Sequence, residues 1–327
     1  MNTKYNYVFF ALDKDYYRVA YHDIENCSWA QIKWSGSEFN SVFLNTMHKL
    51  HYSSTINKYI SLPLKRIWFP LISSNKFKNN KPLCFVFFGR EAAKYGPKLM
   101  RYLKKKYSGS KIIITFLDLI KTTMSDEQFT ELGRCTDLMF TYDFGDAHKY
   151  KMLYQHDVFS RYPIEDNPDI PKCDVYFLGK AKDRLKDIIQ CYDMFTEKGL
   201  QCDFYITGVS DGNRITRPDI HYLNSNMTYY ENLQHVHSAN ALLEIIQGGA
   251  KGSTLRCCEA IAYGKFLITN NAGILNEPFY RENTAFFFDS INELKSIEAN
   301  KIKQAVDFDY IEKISPLSFI ERLESLL

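Results

Sequence analysis

Between Ala241 and Gly273 the chain reads ALLEIIQGGAKGSTLRCCEAIAYGKFLITNNAG, and these are the residue types of an anion site. An apolar run ends in a turn carrying Gly248, Gly249 and Gly252, and Ser253 and Thr254 then open a helix. Glycine lets backbone N–H groups approach an oxyanion closely, and the first helical turn adds unpaired donors and partial positive charge. Lys251 and Arg256 bring full charges to the same place. A diphosphate suits such a turn. One turn into the helix, Glu259 is placed to accept hydrogen bonds from the two hydroxyls of a ribose; its alternative role is that of a solvated or capping carboxylate. The following strand end brings Asn270 and Asn271 to the same edge.

The elements that must position these groups follow from the apolar runs. In the first half, YVFFAL (7–12), LCFVFFG (83–89), KIIITFL (111–117) and LMFTY (138–142) read as buried parallel strands, with a helix over 91–107. The segment RYPIEDNPDIPK (161–172), with three prolines and no periodic apolar face, reads as a linker. The second half then alternates: strands at 173–179, 202–208, 220–223, 241–246 and 265–269, and helices over 182–198, near 228–238 and over 254–263. That order predicts a right-handed, doubly wound α/β sheet, whose ligands bind beyond the carboxyl ends of the strands. The expected domains are 1–165 and 173–327, joined by 166–172.

The 327 residues, 45% of them apolar, suffice for two cores of about 150 residues each. A net charge of +3 argues against nucleic acid as the main partner. No signal-peptide pattern and no run of about 18 apolar residues is present, so a cytoplasmic protein is expected. Eight cysteines without a CxxC pair read as reduced, mostly packing thiols. Residues 39–90 contain no Asp or Glu, but hold Lys49, Lys58, Lys65, Arg66, Lys76, Lys78, Lys81 and Arg90 among aromatics such as Trp68, Phe69 and Phe77. This stretch suits the anionic inner face of a membrane, or else a solvated helix pair with its rings turned inward. The pairs Asp13/Asp15 and Asp307/Asp309 are poorly placed for a metal, and no His, Cys and carboxylate cluster has zinc-site spacing. No metal and no cofactor is expected.

The segments VYFLGKAKDRL (175–185), DFYITG (203–208), IHYLNSNMTYYENLQHVHSANALLEI (220–245) and KGSTLRCCEAIAYGKFLITNN (251–271) resemble the GT-B glycosyltransferases, in particular those of bacterial polysaccharide and lipopolysaccharide biosynthesis. The resemblance implies two Rossmann-like domains facing across a cleft, and transfer of a sugar from a nucleoside diphosphate donor to a surface glycan or lipid-linked precursor. A nucleotide-sugar epimerase of the same fold and a catalytically silent nucleotide-sugar or membrane-binding protein are the rival readings.

The resemblance further implies that Glu259 holds the ribose and that Gly252, Ser253, Thr254 and Arg256 receive the diphosphate. Gly179, Lys180, Lys182 and Arg184 match the basic loop facing the leaving group, where cations offset the charge that builds as the glycosidic bond breaks. Tyr222, Leu223 and Met227 bracket the expected nucleobase region, and Gln247, Gly248, Gly249 and Lys251 are placed to meet the donor sugar. The retaining members of this group carry a glutamate where Lys251 stands, so the stereochemical outcome is left open; Glu244 is an imperfect substitute. An inverting transfer needs a general base from the N-terminal half. Asp118, at a strand end, is the favoured base, with helix capping as its competing role and Glu91 as the other catalytic candidate. Arg90 and Asp143 are expected on the acceptor side.

Overall fold

The computed structural model describes residues 1–60, 62–246 and 252–327. It divides into two compact units, Met1–Gln155 with Pro316–Leu327, and His156–Ser315. The sequence-based boundaries differ from this division at both ends. The Pro-rich stretch 161–172 falls inside the second unit, and the C-terminal helix, expected in the second domain, belongs to the first.

The first unit is built on six parallel strands in the order β2-β1-β3-β4-β5-β6: β1 (Asn6–Ala11), β2 (Ala30–Trp34), β3 (Leu83–Phe88), β4 (Lys111–Phe116), β5 (Leu138–Thr141) and β6 (Leu153–Tyr154). Every residue of β1 and β3 is buried, which is why these strands read as continuous apolar runs. Helix α1 (Val42–His51) precedes β3, α2 (Gly89–Lys106) follows it, and α3 (Phe144–Tyr150) follows β5. Helix α2 is interrupted at Gly96, whose φ of 67° lies in the left-handed region; Pro97 then restarts the helix where its missing N–H costs nothing. At the far end of the chain α7 (Pro316–Leu326) returns to this unit. There Glu324 accepts hydrogen bonds from the Lys4 and Tyr5 amides and from the Tyr7 hydroxyl.

The second unit has its own six-stranded parallel sheet, ordered β12-β11-β10-β7-β8-β9. Its strands are β7 (Cys173–Lys180), β8 (Cys202–Thr207), β9 (Ile220–Leu223), β10 (Ala239–Glu244), β11 (Phe266–Thr269) and β12 (Ala285–Phe287). Helix α4 (Leu185–Glu197) covers the face carrying Val175, Phe177, Phe204 and Ile268. Helices α5 (Tyr229–Ser238) and α6 (Leu255–Tyr263) pack against each other, α5 touching β7 and α6 touching β10. Helix α6 stops at Gly264, φ 62°, where a Cβ would stand 2.8 Å from the Val306 carbonyl oxygen, so only glycine closes this helix.

Candidate functional site

The carboxyl ends of β7, β10 and β11 and the start of α6 gather most of the expected donor residues. Thr254 is the N-cap of α6: its Oγ1 accepts from the Cys257 amide and donates to Glu244, at the end of β10. The other oxygen of Glu244 accepts from Thr269 Oγ1 at 2.5 Å, and the Asn271 amide donates in turn to that threonine. Glu244 therefore ties two strand ends to the opening of the helix. Burial raises its carboxyl above the ordinary glutamate range, against the lowering effect of the two hydroxyl donors. Gly252 accepts from Asn271 Nδ2 at 2.8 Å, and Asn270 accepts from the Ile246 amide at 2.7 Å. Between these anchors Ser253 is 1% exposed, and its hydroxyl has no partner among the described residues. A buried donor at a helix opening that lacks a partner is one hydrogen bond short of complete.

One turn further, Glu259 is 2% exposed. Its Oε1 accepts from the Tyr229 hydroxyl at 2.7 Å and from Asn232 Nδ2 at 3.0 Å, and its Oε2 accepts from Arg256 at 2.6 Å. Arg256 also donates to the Leu178 carbonyl and lies over the Tyr176 ring. Burial is the largest influence and opposes its charge, but Glu259, Tyr176, Tyr229 and Glu244 together outweigh it and raise the pKa. Three protein donors leave Glu259 one of its roughly four acceptor positions. The sequence offered a solvated or a ribose-binding carboxylate; the structure adds that this one is a buried ion-pair member.

Gly179 and Lys180, expected in the loop after the strand, are the last residues of β7, and Lys182 and Arg184 lie in the turn that leads into α4. Lys180 and Lys182 are exposed, and Lys182 adopts a left-handed φ of 45°. Arg184 is turned inward: it donates to the Ile245 carbonyl and, at 2.5 Å, to that of Lys180, so it joins the ends of β7 and β10. Burial lowers its pKa. Tyr222 is held by Ile215, donating to its carbonyl at 3.0 Å and accepting from its amide at 2.9 Å; Leu223 is half-buried beside it. The Tyr176 hydroxyl approaches the sulfur of Met227 at 3.7 Å. Gln247, Gly248, Gly249 and Lys251 lie outside the described residues.

In the first unit Asp118 follows β4 and accepts from Arg90 Nε at 2.9 Å, both side chains being exposed. The capping alternative for Asp118 is not what the structure builds, since the neighbouring Ile120 amide donates to Asp146 instead. Asp143 is the residue that caps: it is buried and accepts from the Asp146 amide at the start of α3. Glu91, expected at an open strand end, is buried against Lys94 at 3.1 Å, and burial raises its pKa. Lys94 also meets Glu38, which His48 and Tyr95 contact as well. Among the described residues no three His, Cys, Asp or Glu side chains form a metal-ligand group.

No protein-family model matches the sequence, and no curated protein matches it. Solved structures do. A UDP-forming α,α-trehalose-phosphate synthase from Burkholderia xenovorans is similar over 98% of both chains, with a TM-score of 0.55 at 8% identity. The apo structure of OtsA is similar over 95% of this chain and 84% of that one, with a TM-score of 0.51 at 10% identity.

The chain has the GT-B fold.

Within this GT-B chain the residues that sequence reasoning missed are the partners of Glu259, namely Tyr229 and Asn232 on α5. Tyr229 reads as a packing residue at a helix start. The available signal was Asn232, a polar residue on the face of α5 shared with the buried Leu233 and Val236.

Proposed function

We propose that the chain is a glycosyltransferase moving a sugar from a nucleoside diphosphate donor to a bacterial surface glycan or its lipid-linked precursor. The observation that carries this reading is the opening of α6, where a buried Ser253 hydroxyl with no partner among the described residues sits beside the Thr254 cap and the Arg256–Glu259 pair. The diphosphate lies on the first-turn amides and Ser253, and the remaining acceptor position of Glu259 takes a ribose hydroxyl. As the glycosidic bond breaks, negative charge gathers on the leaving diphosphate. The helix N-terminus and the exposed Lys180 and Lys182 stabilise it without a divalent ion. Arg184 holds the loop that presents these lysines, through its two carbonyl contacts. Asp118, oriented by Arg90, takes the proton of the acceptor hydroxyl.

A lipid-linked acceptor places the protein at the inner face of a membrane, and the acid-free stretch 39–90 is the part suited to anionic lipid. No helix among the described residues is long and apolar enough to cross a membrane. The test is nucleotide release from UDP-, GDP- and ADP-sugars, in EDTA, with and without lipid-linked and soluble acceptors. Acceptor-dependent release in EDTA is expected. Release that needs no acceptor, or that EDTA abolishes and magnesium restores, contradicts the reading.

A further inference from the structure

The second half of α2 carries Lys98, Arg101 and Lys105 at spacings of three and four residues, so they share one face while Leu99, Met100 and Leu103 are buried on the other. Opposite that face lies the turn Lys65–Trp68 with the short helix Phe69–Ile72. The two enclose a cavity of about 380 Å³ lined by Arg66, Phe69, Lys98, Arg101, Tyr102 and Lys105, and no acidic residue lines it. Its walls are fixed: Lys106 and Tyr107 both bond Ser73, and the Phe69 and Tyr102 rings pack at 5.5 Å. None of the four cations has an ion pair among the described residues. An adjoining cavity of about 520 Å³ shares Arg66, Phe69 and Lys98 and is again free of acids.

Leu64 and Ile67 line the second of these cavities, and further apolar side chains of the same stretch are exposed. Val42, Phe43, Ile60, Leu64 and Ile67 are all exposed, Val42 at 84% and Leu64 at 72%. Leu64 is also held at a φ of 60°, a left-handed conformation that costs a leucine free energy. A soluble surface minimises such a cluster. Unpaired cations set among outward-facing apolar side chains instead match the edge of an anionic bilayer, with phosphates at headgroup depth and acyl chains beneath.

We propose that this cavity is a headgroup site for an anionic phospholipid. Arg66, Lys98, Arg101 and Lys105 hold the phosphate, Phe69 and Tyr102 line the glycerol, and Leu64 and Ile67 enter the acyl region. The proposal rests on the functional reading only for the side of the membrane concerned. It goes beyond the acid-free stretch, because three of its four cations lie on α2, outside residues 39–90.

The test compares flotation of the full chain on vesicles of phosphatidylcholine with 30 mol% phosphatidylglycerol and on phosphatidylcholine alone. The pocket pair R101Q/K105Q and the control pair K172Q/K313Q, exposed lysines outside both the cavity and residues 39–90, remove the same charge. With the usual contribution of a basic residue near an anionic surface, the pocket pair weakens binding to the anionic vesicles by about tenfold or more and the control pair by about threefold or less. L64S, tested separately, lowers binding without changing the preference for anionic lipid. Equal losses from the two pairs, equal binding of wild type to both vesicles, or a larger loss for single-stranded oligonucleotide than for vesicles overturns the proposal. Melting temperature confirms that each variant is folded. UDP calorimetry on the same samples reports on the second unit alone, so failure of the lipid site and failure of the donor site are read separately.

Discussion

Glu259→Gln tests whether the Arg256–Glu259 pair is a buried ion pair on which the second unit depends. The substitution preserves shape, and the new amide oxygen can still accept from Tyr229 and Asn232, so what is lost is the charge facing Arg256 at 2.6 Å. Both members are largely buried, and removing one partner of such a pair leaves an uncompensated charge that costs about 3–5 kcal/mol. At a typical urea dependence of about 2 kcal/mol per molar, the unfolding midpoint falls by roughly 2 M. The transition is followed by pulsed thiol labelling of Cys257 and Cys258, which are buried on α6 and whose thiols burial raises well above the ordinary range. Arg256→Met alone destabilises for the mirror-image reason. The double variant E259Q/R256M loses less than the sum of the two, with a coupling of about 2 kcal/mol or more. A Glu259→Gln midpoint within about 0.5 M of wild type, or strict additivity in the cycle, refutes the argument.

Two further outcomes follow from the same geometry. Burial holds the Glu244 carboxyl above its ordinary value of 4.5, so its contribution to stability is full below that pH and is lost as pH rises through the raised value. Urea unfolding between pH 4.5 and 8 should therefore show a smaller fall in stability for Glu244→Gln than for wild type, and identical slopes contradict the assignment. Asp118→Asn should lower kcat by about 10²–10⁴-fold while UDP affinity and melting temperature stay nearly constant. A near-normal kcat removes Asp118 as the base.

The strands at the centre of each sheet were legible because parallel strands buried on both faces are written as apolar runs: β3, β4 and β7 lie where LCFVFF, KIIITF and CDVYFL place them, and the partly exposed edge strand β9 lies at IHYL. Strand β2 was not, because Gln31 and Lys33 interrupt the run AQIKW. Lys33 is nevertheless buried, and burial pushes its pKa down to about 8. Strands β6 and β12, of two and three residues, are too short to carry a period. The allegiance of α7 depends on Glu324 meeting Tyr7 across 317 positions, which no local pattern encodes. At the site, the helix opening at Thr254 and the position of Glu259 on that helix were readable because they are close in sequence. The partners of Glu259 come from 27 and 30 residues upstream, and the inward turn of Arg184 depends on a carbonyl of β10's trailing end. Asp143 and Asp118 look alike as acids after strands; only the fold shows that one caps a helix and the other faces Arg90.

The central claim is that the opening of α6 binds the diphosphate of a nucleotide, and Ser253→Ala tests it most directly. In the free protein the hydroxyl is buried and has no partner among the described residues, so removing it leaves stability unchanged or raises it by up to about 1–3 kcal/mol. In the complex the same hydroxyl donates to phosphate, and losing a hydrogen bond to a charged group costs about 1.5–3 kcal/mol, or roughly 10- to 150-fold in affinity. Calorimetric titration of UDP, GDP and ADP in EDTA should show one of them binding wild type at one site per chain, and Ser253→Ala binding it at least tenfold more weakly while melting no lower. Binding of none of the three, or equal affinity for wild type and Ser253→Ala, contradicts the account.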